Sequence, residues 1–246
     1  MLKNATLEGL YALNLPAMAR GLQEQQTRAD MHGLTFEERL GLLVDFELHE
    51  RQTRRLQRAL KTARLKTQAV VEDMDFRRLR GVSKATVLEL ASGKWVEGHQ
   101  NLLVTGMTGV GKTFLACALT HSAVRKGYSA LYLRASRLLD ELMLARADGR
   151  LSRLLISWTK VDVLVIDDFV LRPMSGEQAA DLLEVIDDRS QVRSTVVTSQ
   201  LPVAAWHGAL GEQTVADAVM DRLLQNAVRL ELDGGSKRRP EGGEQE

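Results

Sequence analysis

The sequence predicts an α/β architecture, with a parallel sheet of five strands lying between helices and a small all-α module preceding it. Three observations predict this. From Asn101 onward, five short apolar runs (NLLVT, ALYLR, VDVLVID, STVVTS and VRLEL) alternate with stretches long enough for crossover helices. The first third of the chain carries leucine at helical spacing. A glycine-rich loop, TGMTGVGKT at residues 105–113, separates the first apolar run from a helical stretch.

Taken in order, Leu7, Leu10, Leu15, Met18 and Leu22 recur on one helical face, with a break expected at Pro16. After the turn DMHGL, Thr35 and Glu38 have the spacing of a capping box. A helix from Phe36 to about Leu65 follows, roughly 45 Å long at 1.5 Å per residue, with Leu40, Leu43, Leu48, Leu56 and Leu60 along it. Its second half, RQTRRLQRALKTARLK, holds Arg51, Arg54, Arg55, Arg58, Lys61, Arg64 and Lys66 and no acid. Mixed polarity in TQAVVEDMDFRRLRGVSK marks a boundary, and Ser83 is placed to cap a short helix through KATVLELAS. The expected division is a helical N-terminal domain at 1–68, a linker and first part of the core at 69–100, the α/β core at 101–234, and a disordered tail at 235–246.

The bulk numbers narrow the function. Apolar residues make up 44% of the 246 and aromatics only 4%, so the core is built from Leu, Val and Ala. A formal charge of +1 leaves affinity for a polyanion to local patches. A lone cysteine, Cys117, excludes an internal disulfide framework and is placed as a core residue on the helix after the loop. No signal-peptide pattern and no apolar run of the length a membrane span needs are present, so a soluble cytoplasmic protein without membrane partners is expected.

Gly106, Gly109, Gly111, Lys112 and Thr113 match G-x-x-x-x-G-K-[ST], the phosphate-binding P-loop, with Met107, Thr108 and Val110 between them. The loop stands between a buried strand and a helix start, where backbone N–H groups and the helix dipole favour an anion. Lys112 is expected on the β- and γ-phosphates of ATP and the Thr113 hydroxyl on Mg²⁺. Downstream, VDVLVIDD ends an apolar strand in two acids. Asp167 is expected to hold the Mg²⁺, directly or through a water, and Asp168 to orient the attacking water. Ser199 and Gln200 end the next strand; they either sense the γ-phosphate or serve a turn before Pro202. Arg222 is either a solvated or intrahelically paired residue or an arginine finger for a neighbouring subunit.

The order P-loop, VLVIDDF, VVTSQLP, DRLLQNAVRLEL and GGSKRR resembles the AAA+ ATPases of the helicase-loader branch. Within it, LPAMARGL, TFEERLGLLVDFE, GVSKATVLELASGKWVEGHQNLL and LPVAAWH make the chain similar to the IstB-type ATP-binding helpers of two-gene insertion sequences. The resemblance runs from about residue 10 to 239. It implies a Mg²⁺-dependent, DNA-stimulated ATPase that assembles on duplex DNA, remodels it, and recruits or stimulates a cognate transposase. It also implies little or no helical lid and a homo-oligomer in which a neighbour encloses the nucleotide. Arg222 matches the finger-like arginine of the branch, and Ser236 and Arg238 match closing residues near the phosphates. Three positions depart from the pattern: Val170 where glycine is common, Val228 where histidine is common, and GGSKRR for a shorter GES form.

The basic run suits this role, since Lys and Arg neutralising phosphates supply sequence-independent DNA affinity, and Arg51, Arg54, Arg55, Arg58, Lys61 and Arg64 are the expected contacts. The alternative is a solvated charged face. Arg146, Arg150 and Arg153 form a second basic patch. Two other functions share the motifs: a DnaC-like replicative helicase loader, and an architectural DNA protein in which turnover is incidental.

Overall fold

A computed structural model describes residues 2–77 and 79–234. The chain divides into two compact units, 1–58 and 59–246.

In the first unit, α1 (Leu2–Ala12) and α2 (Pro16–Thr27) form a helical hairpin ahead of the long α3 (Phe36–Ala63). Proline opens α2, where its missing N–H costs nothing. The Glu47 carboxylate accepts from the Ala17 and Met18 amides at 2.9 and 3.0 Å, which caps that helix start from a distance. Ala17, Ala19 and Gly21 are buried, and a side chain on Gly21 would strike Leu43. Thr35 and Glu38 close the capping box of α3, with Glu38 accepting from the Thr35 amide at 2.7 Å and Thr35 from the Glu38 amide at 3.3 Å. Along α3 the leucines are unevenly buried. Leu43 is 7% exposed, but Leu40 and Leu48 are 39% and 52% exposed. The hairpin reaches Leu43, Phe46 and Glu47.

In the second unit, α4 (Lys84–Ala91) starts at Ser83, whose hydroxyl accepts from the Thr86 amide, and α5 (Lys94–Glu97) follows. The strands are β1 (Asn101–Gly106), β2 (Ala130–Arg134), β3 (Val163–Asp167), β4 (Ser194–Ser199) and β5 (Ala227–Leu232). Between them run α6 (Lys112–Arg125), α7 (Ala135–Ala147), α8 (Leu151–Thr159), α9 (Gly176–Arg189), α10 (Trp206–Ala209) and α11 (Gln213–Leu224). The sheet is parallel throughout, in the order β2-β3-β4-β1-β5.

β3 and β4 are buried along their whole length; β3 therefore reads as an apolar run, Val163 to Ile166, while β4 carries Val196 and Val197 between buried Ser and Thr residues. Leu103, Leu133, Leu164, Ile166 and Val197 pack with residues of α7, α8, α9 and α11 in one apolar cluster, while α6 lies against β1, β3 and β4. Arg189, 1% exposed, ties this layer together by donating to the carbonyls of Trp158 at 2.6 Å and Val161 at 2.8 Å and also to that of Ser194. Among the described residues no helix follows β5, and no helix is long and apolar enough to cross a membrane. Residues 235–246, including Ser236 and Arg238, lie outside the described part.

Candidate nucleotide and metal site

In an open parallel sheet, the crevice at the carboxyl ends of the strands is the place for a ligand, especially where neighbouring strands are connected in opposite directions. Here β1 lies between β4 and β5, and the chain leaves β1 for the far edge strand β2. The loop 106–111 stands at that point. Gly106 has φ +142, and a Cβ there would sit 2.3 Å from the Leu232 carbonyl of β5, so no other residue fits. Gly111 at φ +106 turns the chain into α6, whose first residues are Lys112 and Thr113. Val110 is buried and pins the loop, while Met107 and Thr108 face outward.

Lys112 is 7% exposed and folds back to donate to the carbonyls of Gly106 and Met107, both at 2.8 Å. Its ammonium is therefore held inside the loop's own curve. The Thr113 hydroxyl donates to Asp167, 2.9 Å from Oδ1 and 3.2 Å from Oδ2, which joins the start of α6 to the end of β3. Asp167 is fully buried. It also accepts from Thr198 on β4, from the Tyr132 hydroxyl on β2, and from the Lys66 ammonium at 3.4 Å. Burial alone would push this carboxyl up. The donors Thr198, Tyr132 and Thr113, with the Lys66 charge, outweigh it and hold the group below the usual carboxylate range. Tyr132 is pushed the other way, upward, by its burial and by the carboxylate it serves.

Asp168 follows in the left-handed region at φ +59, which Asp tolerates, and its amide is 3.2 Å from the Thr198 hydroxyl. It lines a cavity of about 410 Å³ together with Arg134, Ser136, Asp140 and Arg172. Phe169 is anchored edge-on against Trp206, with centroids 5.0 Å apart at 68°. Val170 has φ +48, a conformation that is strained for a β-branched residue and free for glycine. Val170, one of the three departures from the resemblance, thus sits where a glycine would feel no strain.

Gln200 accepts from the Thr108 hydroxyl at 2.6 Å, so the end of β4 touches the loop directly. Ser199 is buried and serves the turn, donating to the Phe169 carbonyl and accepting from the Leu201 amide. A second cavity of about 330 Å³ lies beside the loop, lined by Asp73, Met74, Asp75, Leu79, Gly111 and Phe114. It is apolar enough to take a flat ring. Reasoning from motifs missed Lys66, Tyr132 and Thr198, which reach Asp167 from 101, 35 and 31 residues away. It also missed this cavity. None of them carries a local signal.

Arg222 is not beside this loop. It lies near the end of α11, where its carbonyl accepts from Asn101 at the opposite, amino edge of the sheet. There it pairs with Asp187 of α9. Cys117 is fully buried, and its thiol is pushed up by that burial, as a packing residue's would be.

The expected DNA contacts follow one another along α3 and its end. Arg51, Arg54, Arg55, Arg58 and Lys61 recur at spacings that share one helical face. The run has no internal acid, yet two members find acids one turn earlier: Arg51 pairs with Glu47 at 2.8 Å and Arg54 with Glu50 at 3.0 Å. Arg55, Arg58, Lys61 and Arg64 are exposed. In the second patch Arg146 pairs with Asp181 and Arg150 with Asp148.

A parallel sheet in this order, with a glycine loop before α6 and an acid-ended β3, defines an AAA+ type P-loop nucleotide-binding fold. Residues 8–243 match the family described as IstB-like ATP binding protein, and the chain belongs to that family. It is 50% identical over 215 residues to the ATP-binding protein of insertion sequence IS1162 from Pseudomonas fluorescens, covering 87% of this chain and 92% of that one. It is 44% identical over 239 residues to an insertion sequence ATP-binding protein of Sinorhizobium fredii, covering 97% and 98%. Among solved structures, DnaI aligns with a TM-score of 0.58 at 22% identity over 70% of this chain and 91% of that one. The DnaC helicase loader aligns at 0.53 and 22%, over 61% and 88%. At those identities the likeness establishes the fold alone.

Proposed function

We propose that this protein is a Mg²⁺-dependent ATPase that assembles as a homo-oligomer on duplex DNA, without sequence preference, and acts there as the helper of a transposase. The observation that carries the catalytic half is the Thr113–Asp167 contact beneath a glycine loop at the carboxyl edge of the sheet. Two hard oxygen donors from different elements meet there, one of them a fully buried carboxylate. Mg²⁺ suits such a pair, because it binds through one or two protein oxygens and takes the rest from phosphate and water.

The chain's own residues then have definite tasks. Backbone N–H groups of 107–113 bind the β-phosphate, and Lys112 exchanges two loop carbonyls for phosphate oxygens. Thr113 and Asp167 hold Mg²⁺, which when bound offsets the charge of the β- and γ-phosphates. Asp168 orients the attacking water and accepts its proton. Gln200, tethered to Thr108, senses whether the γ-position is filled. The cavity at Met74, Leu79 and Phe114 receives the adenine ring. Arg222, on the far edge, serves a neighbouring subunit's γ-phosphate rather than its own. The exposed arginines of α3 supply the DNA-phosphate contacts.

Family membership and the names of the insertion-sequence relatives favour a transposase as partner over a replicative helicase. ATPase assays of the wild type, Lys112→Ala and Asp168→Asn, each with and without duplex DNA, test the proposal. Turnover should vanish in both variants, with ATP binding lost in the first and kept in the second. Undiminished hydrolysis in Lys112→Ala would defeat it.

A further inference from the structure

We propose that the Lys66 ammonium is a built-in stand-in for the metal cation at Asp167, and that Mg²⁺ must displace it to load. The inference rests on the reading that Thr113 and Asp167 hold Mg²⁺. Nothing in the P-loop or acid-ended-strand patterns points to Lys66, which comes three residues after the end of α3.

The acceptor capacity of Asp167 makes the argument. A carboxylate offers about four lone-pair positions. Oδ1 accepts from Thr113 and Thr198, and Oδ2 from Tyr132 and Lys66, with Thr113 also within 3.2 Å of Oδ2. The set is full, so a metal ion can enter only if a donor leaves. Thr198 and Tyr132 are buried side chains on β4 and β2, held by the sheet. Thr113 would stay and turn its oxygen lone pair to the metal. Lys66 differs from all three. Its side chain is 29% exposed, its contact is the longest of the first contacts at 3.4 Å, and it carries the positive charge that a metal ion on the same carboxylate repels.

The contact is also no ordinary surface pair, since its acid is fully buried. Of the four donors to that carboxylate, Lys66 alone carries a charge; Thr113, Thr198 and Tyr132 are neutral hydroxyls. The next residue, Thr67, is a neighbour of Cys117 on α6, the helix that begins at the loop. Loading the metal therefore frees the Lys66 side chain and loosens residues 64–67.

The test uses the full chain and a non-hydrolysable fluorescent ATP analogue. Mg²⁺ is titrated at fixed analogue for the wild type, Lys66→Met and Lys66→Arg. Lys66→Met should bind Mg²⁺ about fivefold more tightly, the scale of a partly exposed charge pair, and Lys66→Arg should behave as wild type. Analogue affinity measured in EDTA should be the same in all three, which also reports that they are folded. A second readout needs no variant: trypsin should cut wild type after Arg64 and Lys66 faster with Mg²⁺ and analogue than with analogue and EDTA. Unchanged Mg²⁺ affinity in Lys66→Met overturns the inference while leaving the site intact. Weaker Mg²⁺ affinity overturns it too, and assigns Lys66 to the phosphates. Failure of the wild type to bind either Mg²⁺ or analogue removes the site reading itself.

Discussion

Replacing Tyr132 by Phe deletes one hydroxyl and nothing else. Tyr132 is 7% exposed and donates to the fully buried Asp167, so the change leaves no cavity but removes one of the hydrogen bonds that solvate an internal charge. A hydrogen bond to a charged group is worth about 1.5–3 kcal/mol. Thr113, Thr198 and Lys66 remain, which places the expected loss near the lower end, at about 2 kcal/mol. For a unit of this size each kcal/mol moves Tm by about 2–4 °C, so the nucleotide-free protein should melt about 4–8 °C lower. The assay is intrinsic tryptophan fluorescence. All three tryptophans, Trp95, Trp158 and Trp206, are buried in the second unit, so the signal reports the unit that holds the site. The sign of the pH effect follows as well. The Asp167 carboxyl is depressed in the fold, so the stability its charge contributes is present above about pH 4 and is lost as pH falls through the folded-state value. Losing the tyrosine donor raises that value, and the variant should lose this contribution at higher pH. A Tm within about 1 °C of wild type, well short of the shift expected, would refute the idea that Tyr132 solvates the carboxylate.

Three further outcomes are expected. Val170→Gly relieves a left-handed valine, about 1–2 kcal/mol, but loses about 1.5–3 kcal/mol of buried side chain, so its denaturant midpoint should shift much less than that of Val165→Gly in β3; equal shifts would show that φ +48 carries no strain. Replacing Arg54, Arg55 and Arg58 by Glu should weaken DNA binding and flatten its salt dependence by about 0.9 for each phosphate no longer neutralised, and an unchanged slope would place the DNA site elsewhere. Arg222→Ala and Lys112→Ala should each be inactive, yet a mixture of the two should regain ATPase activity if Arg222 acts on a neighbour; a mixture as inactive as its parts argues that it does not.

The strands were legible as short apolar stretches between helical ones, most plainly β3, where Val163 to Ile166 are apolar without a break because both faces of the strand are covered. The loop was legible because Gly106 cannot bear a side chain against the Leu232 carbonyl, a constraint that the bare residue type reports. The capping residues Thr35 and Ser83 acted within four residues of their partners and were equally plain. What stayed hidden was long-range. Neither Tyr132 nor Lys66 differs locally from any other strand tyrosine or surface lysine; each acquires a task only when the sheet brings Asp167 to it. The basic run misled in one respect. Its lack of internal acids suggested uncompensated charge, yet helical spacing lets Glu47 and Glu50 reach Arg51 and Arg54 from the preceding turn. Of the leucines placed along α3, Leu43 is buried while Leu40 and Leu48 are 39% and 52% exposed, a difference set by what the hairpin reaches and not by the leucines themselves.

The most direct measurement is equilibrium dialysis of the purified chain against labelled ATP, with Mg²⁺ and with EDTA. The account predicts one saturable site per chain, tighter when Mg²⁺ is present, and absent in Lys112→Ala. Uptake that does not saturate, or that Lys112→Ala retains in full, would contradict it.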